Sequence, residues 1–195
     1  MQTLGLSDST PRSESRLKSL FWPSIQSGAD VDYLAVQGFW VCTMVGVMSL
    51  VFLALAHQPI TGLLVFLLFH LGGVGVREHN PFAAAIILIY YIVDFLASVV
   101  FLFVNSPGIG VLRIIIMALL LSNLRATWIA GSWKPDSEEA ALPPRMSETF
   151  SDKLSDMWPA FIWPKVRVFY YIFSLGFLAL TVAGLIVIYL RVGHL

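Results

Sequence analysis

Charge is scarce in this chain. Lys and Arg number 12 and Asp and Glu 12 among 195 residues, or 12% together. A water-exposed globular surface carries about a quarter charged residues, so a soluble domain is excluded. The two signs cancel to a formal net charge of zero. That removes the overall positive field that a nucleic-acid partner would require. Cysteine is almost absent: the single Cys42 rules out a disulfide, a cysteine zinc site or a CxxC redox pair within the chain. In its apolar segment it is expected to act as a small hydrophobe. Alternation of polar and apolar residues is also missing. Runs such as AAAIILIYYIV (Ala83–Val93) and GLLVFLLFHL (Gly62–Leu71) do not read as barrel strands, and helices are expected. Nor do the first thirty residues resemble a cleavable signal. They are polar, with Pro11, Arg12, Glu14, Arg16 and Lys18, and contain no apolar core.

What is there is hydrophobic, at 57% of residues. A helix needs roughly 20 apolar residues to cross a bilayer, and five segments qualify: 33–57, the shorter 60–76, 82–104, 109–130 and 168–190. The chain therefore reads as an all-α membrane protein, a five-span transmembrane helical bundle. The domain plan is a cytoplasmic N-terminal segment 1–32, four spans over 33–130, a cytoplasmic loop 131–167, the fifth span, and a short tail 191–195. The turns His57–Ile60 and Asn105–Gly108 contain no Lys or Arg. Arg12, Arg16, Lys18, Arg77, Lys134, Arg145, Lys153, Lys165 and Arg167 all fall on the other side. Because Lys and Arg collect on the cytoplasmic face, a cytoplasmic N-terminus and a C-terminus on the far side are expected. The bias suits a bacterial cytoplasmic (inner) membrane.

One or two interfacial amphipathic helices complete the plan. In about 149–162, Phe150, Leu154, Met157, Trp158 and Phe161 recur at helical spacing, and Thr149 with Asp152 forms a capping-box pattern. Around Thr10–Pro11, Leu17, Leu20, Phe21 and Trp22 suggest a second. Between the fourth span and the first of these helices, Trp133–Met146 is acidic and proline-containing, and reads as a loop. Small residues mark contact faces between spans: Ala35, Gly38, Cys42, Gly46 and Ser49 on the first, and Gly176, Ala179, Ala183 and Gly184 on the fifth.

Asp94 is the residue that most demands explanation, since a charge inside an apolar span costs several kcal/mol unless it is paired or hydrated. With Tyr90, Tyr91 and Ser98 it forms a polar stripe at helical spacing. Helical side chains lean towards their own N-terminus. On that ground an Asp94–Arg125 pair is expected, with Ser122 close by and Arg113 turned out to the far surface. His70, Glu78 and His79 form a weaker cluster near the cytoplasmic interface. No HxxxH, HExxH or ExxH spacing accompanies them, so no metal site, catalytic residue or cofactor is assigned. Gly72–Gly73–Val74–Gly75 follows no strand and precedes no Lys-Ser/Thr, so it is not read as a phosphate loop.

These features point to a small non-enzymatic scaffold or accessory membrane protein. Its partners would be the lipid bilayer and either another membrane protein or a second copy of the chain. A small transporter or channel using Asp94 is the alternative. A membrane enzyme acting on lipid at the cytoplasmic interface, through His70, Glu78 and His79, is the second alternative.

Overall fold

Prolines set the helix starts. In the computed structural model, which describes residues 18, 21–105, 107–134 and 138–192, helix α1 spans Gly28–Leu55, α2 Pro59–Arg77, α3 Pro81–Asn105 and α4 Pro107–Gly131. Pro59, Pro81 and Pro107 each stand at the first helical position. Their missing N–H is no loss there, because the first N–H groups of a helix lack intrahelical acceptors. A short 3₁₀ turn, Glu138–Ala140, follows. Helix α5 (Phe150–Asp152), a π turn (Lys153–Met157) and α6 (Trp158–Val192) then form one uninterrupted helical run. The described residues are thus all-helical, and five helices are long and apolar enough to cross a membrane.

The sequence boundaries shift in two places. Helix α1 begins at Gly28 rather than at residue 33, because Ser27 and Asp30 close a capping box. The Asp30 carboxylate accepts the Gln26 and Ser27 N–H groups at 2.9 and 3.2 Å. This extra turn places Asp32 inside the helix. The helix expected at 149–162 does start at a capping box of Thr149 and Asp152. It then runs straight into the fifth span instead of ending before it. The proposed helix start at Thr10–Pro11 and the tail at 193–195 lie outside the described residues.

Each helix end hands over to the next start within a few residues. At the end of α2 the His79 N–H bonds to the Val76 carbonyl (2.9 Å) and the Asn80 N–H to Gly75 (3.0 Å). This is the paired C-cap arrangement that needs a left-handed residue, and His79 supplies it with φ 54°. Asn80 then caps α3, its Oδ1 accepting the Ala83 N–H at 2.9 Å and the Tyr171 hydroxyl at 3.0 Å. His57, φ 59°, plays the same part after α1.

The helices run alternately up and down. The start of α1, the end of α2, the start of α3, the end of α4 and the π turn therefore gather at one end, here termed the near end. α1 packs most extensively on α2 and also on α4, α3 packs on α4 and α2, and α6 lies against α2 with a lighter contact to α3. α2 is central, and its glycines explain how. A Cβ on Gly73 would sit 2.8 Å from Cys42 Cβ in α1, and one on Gly75 would sit 2.5 Å from both Ala83 in α3 and Trp163 in α6. Three neighbours approach its backbone, which only small residues permit. The expected face of α1 is confirmed in the same way, with Ala35, Gly38, Cys42 and Gly46 buried. The expected face of α6 is not. Cβ atoms on Gly176 or Gly184 would meet nothing within 4 Å, and Ala179 and Ala183 are exposed.

Candidate functional site

The near end concentrates charge. Arg77, the last residue of α2, is only 1% exposed. A guanidinium cannot lose its proton and must be matched where it lies. It donates to Asp32 on α1 at 2.5 and 3.3 Å. It also donates to Asp156 Oδ1 in the π turn, at 2.8 Å from Nη2 and 3.3 Å from Nε. Its Nε reaches the Ser155 carbonyl at 3.0 Å as well. That carbonyl is open for a covalent reason: Pro159, four residues on, has no N–H to offer it. The π turn and Pro159 together therefore shape half of the receptor for Arg77.

A second layer surrounds the arginine. Asp156 Oδ2 accepts the Met146 N–H at 2.9 Å. Arg145 bonds the Asp156 carbonyl at 3.3 Å and pairs with Glu78 at 3.0 Å. His79 turns its Nε2 to within 3.7 Å of Asp32 Oδ1, and neither of its ring nitrogens has a hydrogen-bond partner. Burial holds the His79 pKa down to about 4. Asp32 opposes that shift, and Arg77 and Arg145 reinforce it. The ring is neutral at pH 7. Two cations and three carboxylates thus join α1, α2 and the 145–157 segment in one network.

Of the expected near-end cluster, Glu78 and His79 belong to this network and His70 does not. His70 lies against α1, with Nδ1 3.2 Å from Thr43 Oγ1 and its ring stacked on Phe66 at 5.3 Å. Among the described residues, no group of three or more His, Cys, Asp or Glu side chains is placed to hold a metal ion.

The expected Asp94–Arg125 pair needs correction. Asp94 bonds Arg113 at 2.8 Å, not Arg125. Arg113 also donates to Ser98 Oγ at 2.7 Å and lies 6.0 Å from the Tyr91 ring centroid. Arg125 turns the other way, to the Pro23 carbonyl at 2.9 Å and the face of Trp22 at 4.7 Å. Direction around the helix axis decides the choice. Arg113 projects onto α3, whereas Arg125 faces the segment that leads into α1. The axial gap of about 8 Å between Asp94 and Arg113 is one that a long arginine side chain bridges against its usual lean. Ser122 is correspondingly remote from the pair, fully buried and without a hydrogen-bond partner, as is its neighbour Asn123. Tyr90 and Tyr91 do face inward, both edge-on to Phe69. The charges themselves are not enclosed: the Asp94 side chain is 45% and that of Arg113 27% exposed. The nearby cleft between α3 and α6 is lined by Val93, Leu96, Ala97, Val182, Leu185 and Ile186, all apolar.

No protein-family model matches the chain, and neither the curated proteins nor the solved structures yield a match.

Sequence reasoning treated Arg77 only as a marker of sidedness and left Asp32 outside the first span. Two signals could have found the cluster. Asp32 and Arg77 flank the short turn at 57–60 at distances along their helices that differ by about one and a half turns, within an arginine's reach. Trp158–Pro159 leaves a carbonyl free in a stretch otherwise patterned as helix.

Proposed function

We propose that this chain is a multi-pass membrane protein that acts as a scaffold or accessory subunit rather than as an enzyme. Its near end would lie in the cytoplasm and its C-terminus on the opposite side of a bacterial inner membrane. The observation that carries the reading is the open small-residue face of α6. Gly176 and Gly184 have free space where a side chain would be, and this is the surface on which a second transmembrane helix packs closely. The near-end charges support it too. Each of the three guanidinium nitrogens of Arg77 donates to a protein acceptor, so the cluster braces the bundle rather than presenting a reactive group. Exposed Phe150, Trp158 and Phe161 suit an anchor at the headgroup level.

Native mass spectrometry of protein gently extracted from its own membrane tests this. A stoichiometric protein partner or a defined homo-oligomer is expected, and Gly176→Leu with Ala183→Leu should abolish it. A monomer that retains an ion or metabolite, and loses it in Asp94→Asn, would overturn the reading in favour of transport. That alternative draws on the half-exposed Asp94–Arg113 pair.

A further inference from the structure

We infer that His79 is a proton sensor, and that its protonation unlocks the Arg77 clamp and releases the 145–157 segment from α1. This does not rest on the scaffold reading and concerns the near end alone.

The geometry is that of a poised contact. Asp32 Oδ1 already accepts Arg77 Nη1 at 2.5 Å, while His79 Nε2 stands 3.7 Å from the same oxygen. That is too far for a hydrogen bond to neutral imidazole and close enough for an ion pair once the ring is charged. The ring cannot easily swing away. His79 is the left-handed residue of the α2 cap, and Asn80, next in the chain, is held by Ala83 and Tyr171. A neutral imidazole with both nitrogens unpartnered gains nothing from its polar atoms here. A non-glycine residue in the left-handed region also carries a backbone cost, of the kind found at switch positions.

The groups that face the ring set the direction of the response. Asp32 on α1 attracts a proton. Arg77 at the end of α2 repels it, as does Arg145 ahead of the π turn. Glu78 is engaged by Arg145, Asp156 by Arg77, and Tyr171 of α6 by Asn80. A protonated His79 would compete with Arg77 for Asp32, and Arg77 is the link from Asp32 to Asp156. Burial makes the closed cluster a poorer host for the proton than water, so protonation favours the arrangement in which the ring is hydrated and the clamp open.

Hydrogen–deuterium exchange of the full chain in lipid nanodiscs tests this, read on the peptide covering Arg145–Met157 and corrected for the intrinsic effect of pH. The ring pKa moves from 6.5 free to about 4 in the closed state. By linkage, opening at pH 5 should therefore exceed that at pH 7 by about twentyfold. His79→Asn, which tolerates the left-handed backbone, should change by less than about threefold over the same range. An equal response in His79→Asn, or none in the unaltered protein, overturns the proposal. Should the variant fail to fold, ring resonances of the four histidines in the unaltered protein decide. One must titrate in step with the exchange, and independence of the two refutes the sensor.

Discussion

Replacing Arg77 by methionine keeps the length of the side chain and deletes its charge. The structure sets the size of the effect. Arg77 is 1% exposed and its partners Asp32 and Asp156 are 15% and 10% exposed at their side chains. Removing one member of a buried ion pair leaves the others uncompensated, at a cost of about 3–5 kcal/mol. Here two carboxylates are left facing each other. Glu78→Gln is the internal comparison. It breaks the Glu78–Arg145 pair, whose side chains are 19% and 32% exposed; a pair this open is worth at most about 1 kcal/mol. Reversible unfolding in mixed detergent micelles, monitored by circular dichroism, should separate the two variants by at least about 2 kcal/mol. Adding Asp32→Asn to Arg77→Met should recover part of the loss, since the residues share one network. If Arg77→Met costs no more than Glu78→Gln, or if Asp32→Asn adds its full loss on top, the cluster does not brace the bundle.

Three further outcomes follow from the same geometry. Gly75→Ala should destabilise by about 1–3 kcal/mol, because the new methyl meets Ala83 and Trp163 at 2.5 Å in a packed interior. Gly176→Ala, with open space, should not destabilise, and a thermal shift assay on both tests the contrast. His57→Gly should raise stability by about 1 kcal/mol, since an exposed residue at φ 59° gives up only left-handed strain. The stability difference between the unaltered protein and His79→Asn should be flat above pH 6.5 and shrink as pH falls towards 4. The folded pKa of about 4 lies below the unfolded 6.5, so the unfolded state takes up the proton first. The slope should not exceed about 1.4 kcal/mol per pH unit.

The helices were legible because a run long and apolar enough to cross a bilayer stands out in the sequence; Pro59, Pro81 and Pro107, at the starts of α2, α3 and α4, were a further signal. The face of α1 was legible for a related reason, its small residues recurring every three or four positions. The ion pairs were not. Counting rise along the axis placed Arg113 and Arg125 at comparable distances from Asp94, and an arginine's reach covers that uncertainty. The choice depended on rotation about the axis, which the tertiary packing of α4 against α1 and α3 sets. The Arg77 cluster escaped because its members are some 45 and 79 residues apart in sequence. Each taken alone passes for an ordinary surface charge, and only the folded chain brings them under one cover.

The π turn at Lys153–Met157 has a further consequence for how this chain can vary. A π turn accommodates one residue more than an α-helix would, and one residue is about 100° of rotation. It therefore works as a phase adjuster between two faces. Asp156 meets Arg77 on one side, while Trp163 and Tyr170, at successive seven-residue steps, meet Gly75 and Gly72. Upstream, Thr149 and Phe150 take their own orientation. A one-residue deletion there would convert the turn to regular helix and set the two halves at odds. Either the capped start or the glycine-facing seam would keep its alignment, and not both. Apart from Asp156, it is the length of this stretch that must be preserved.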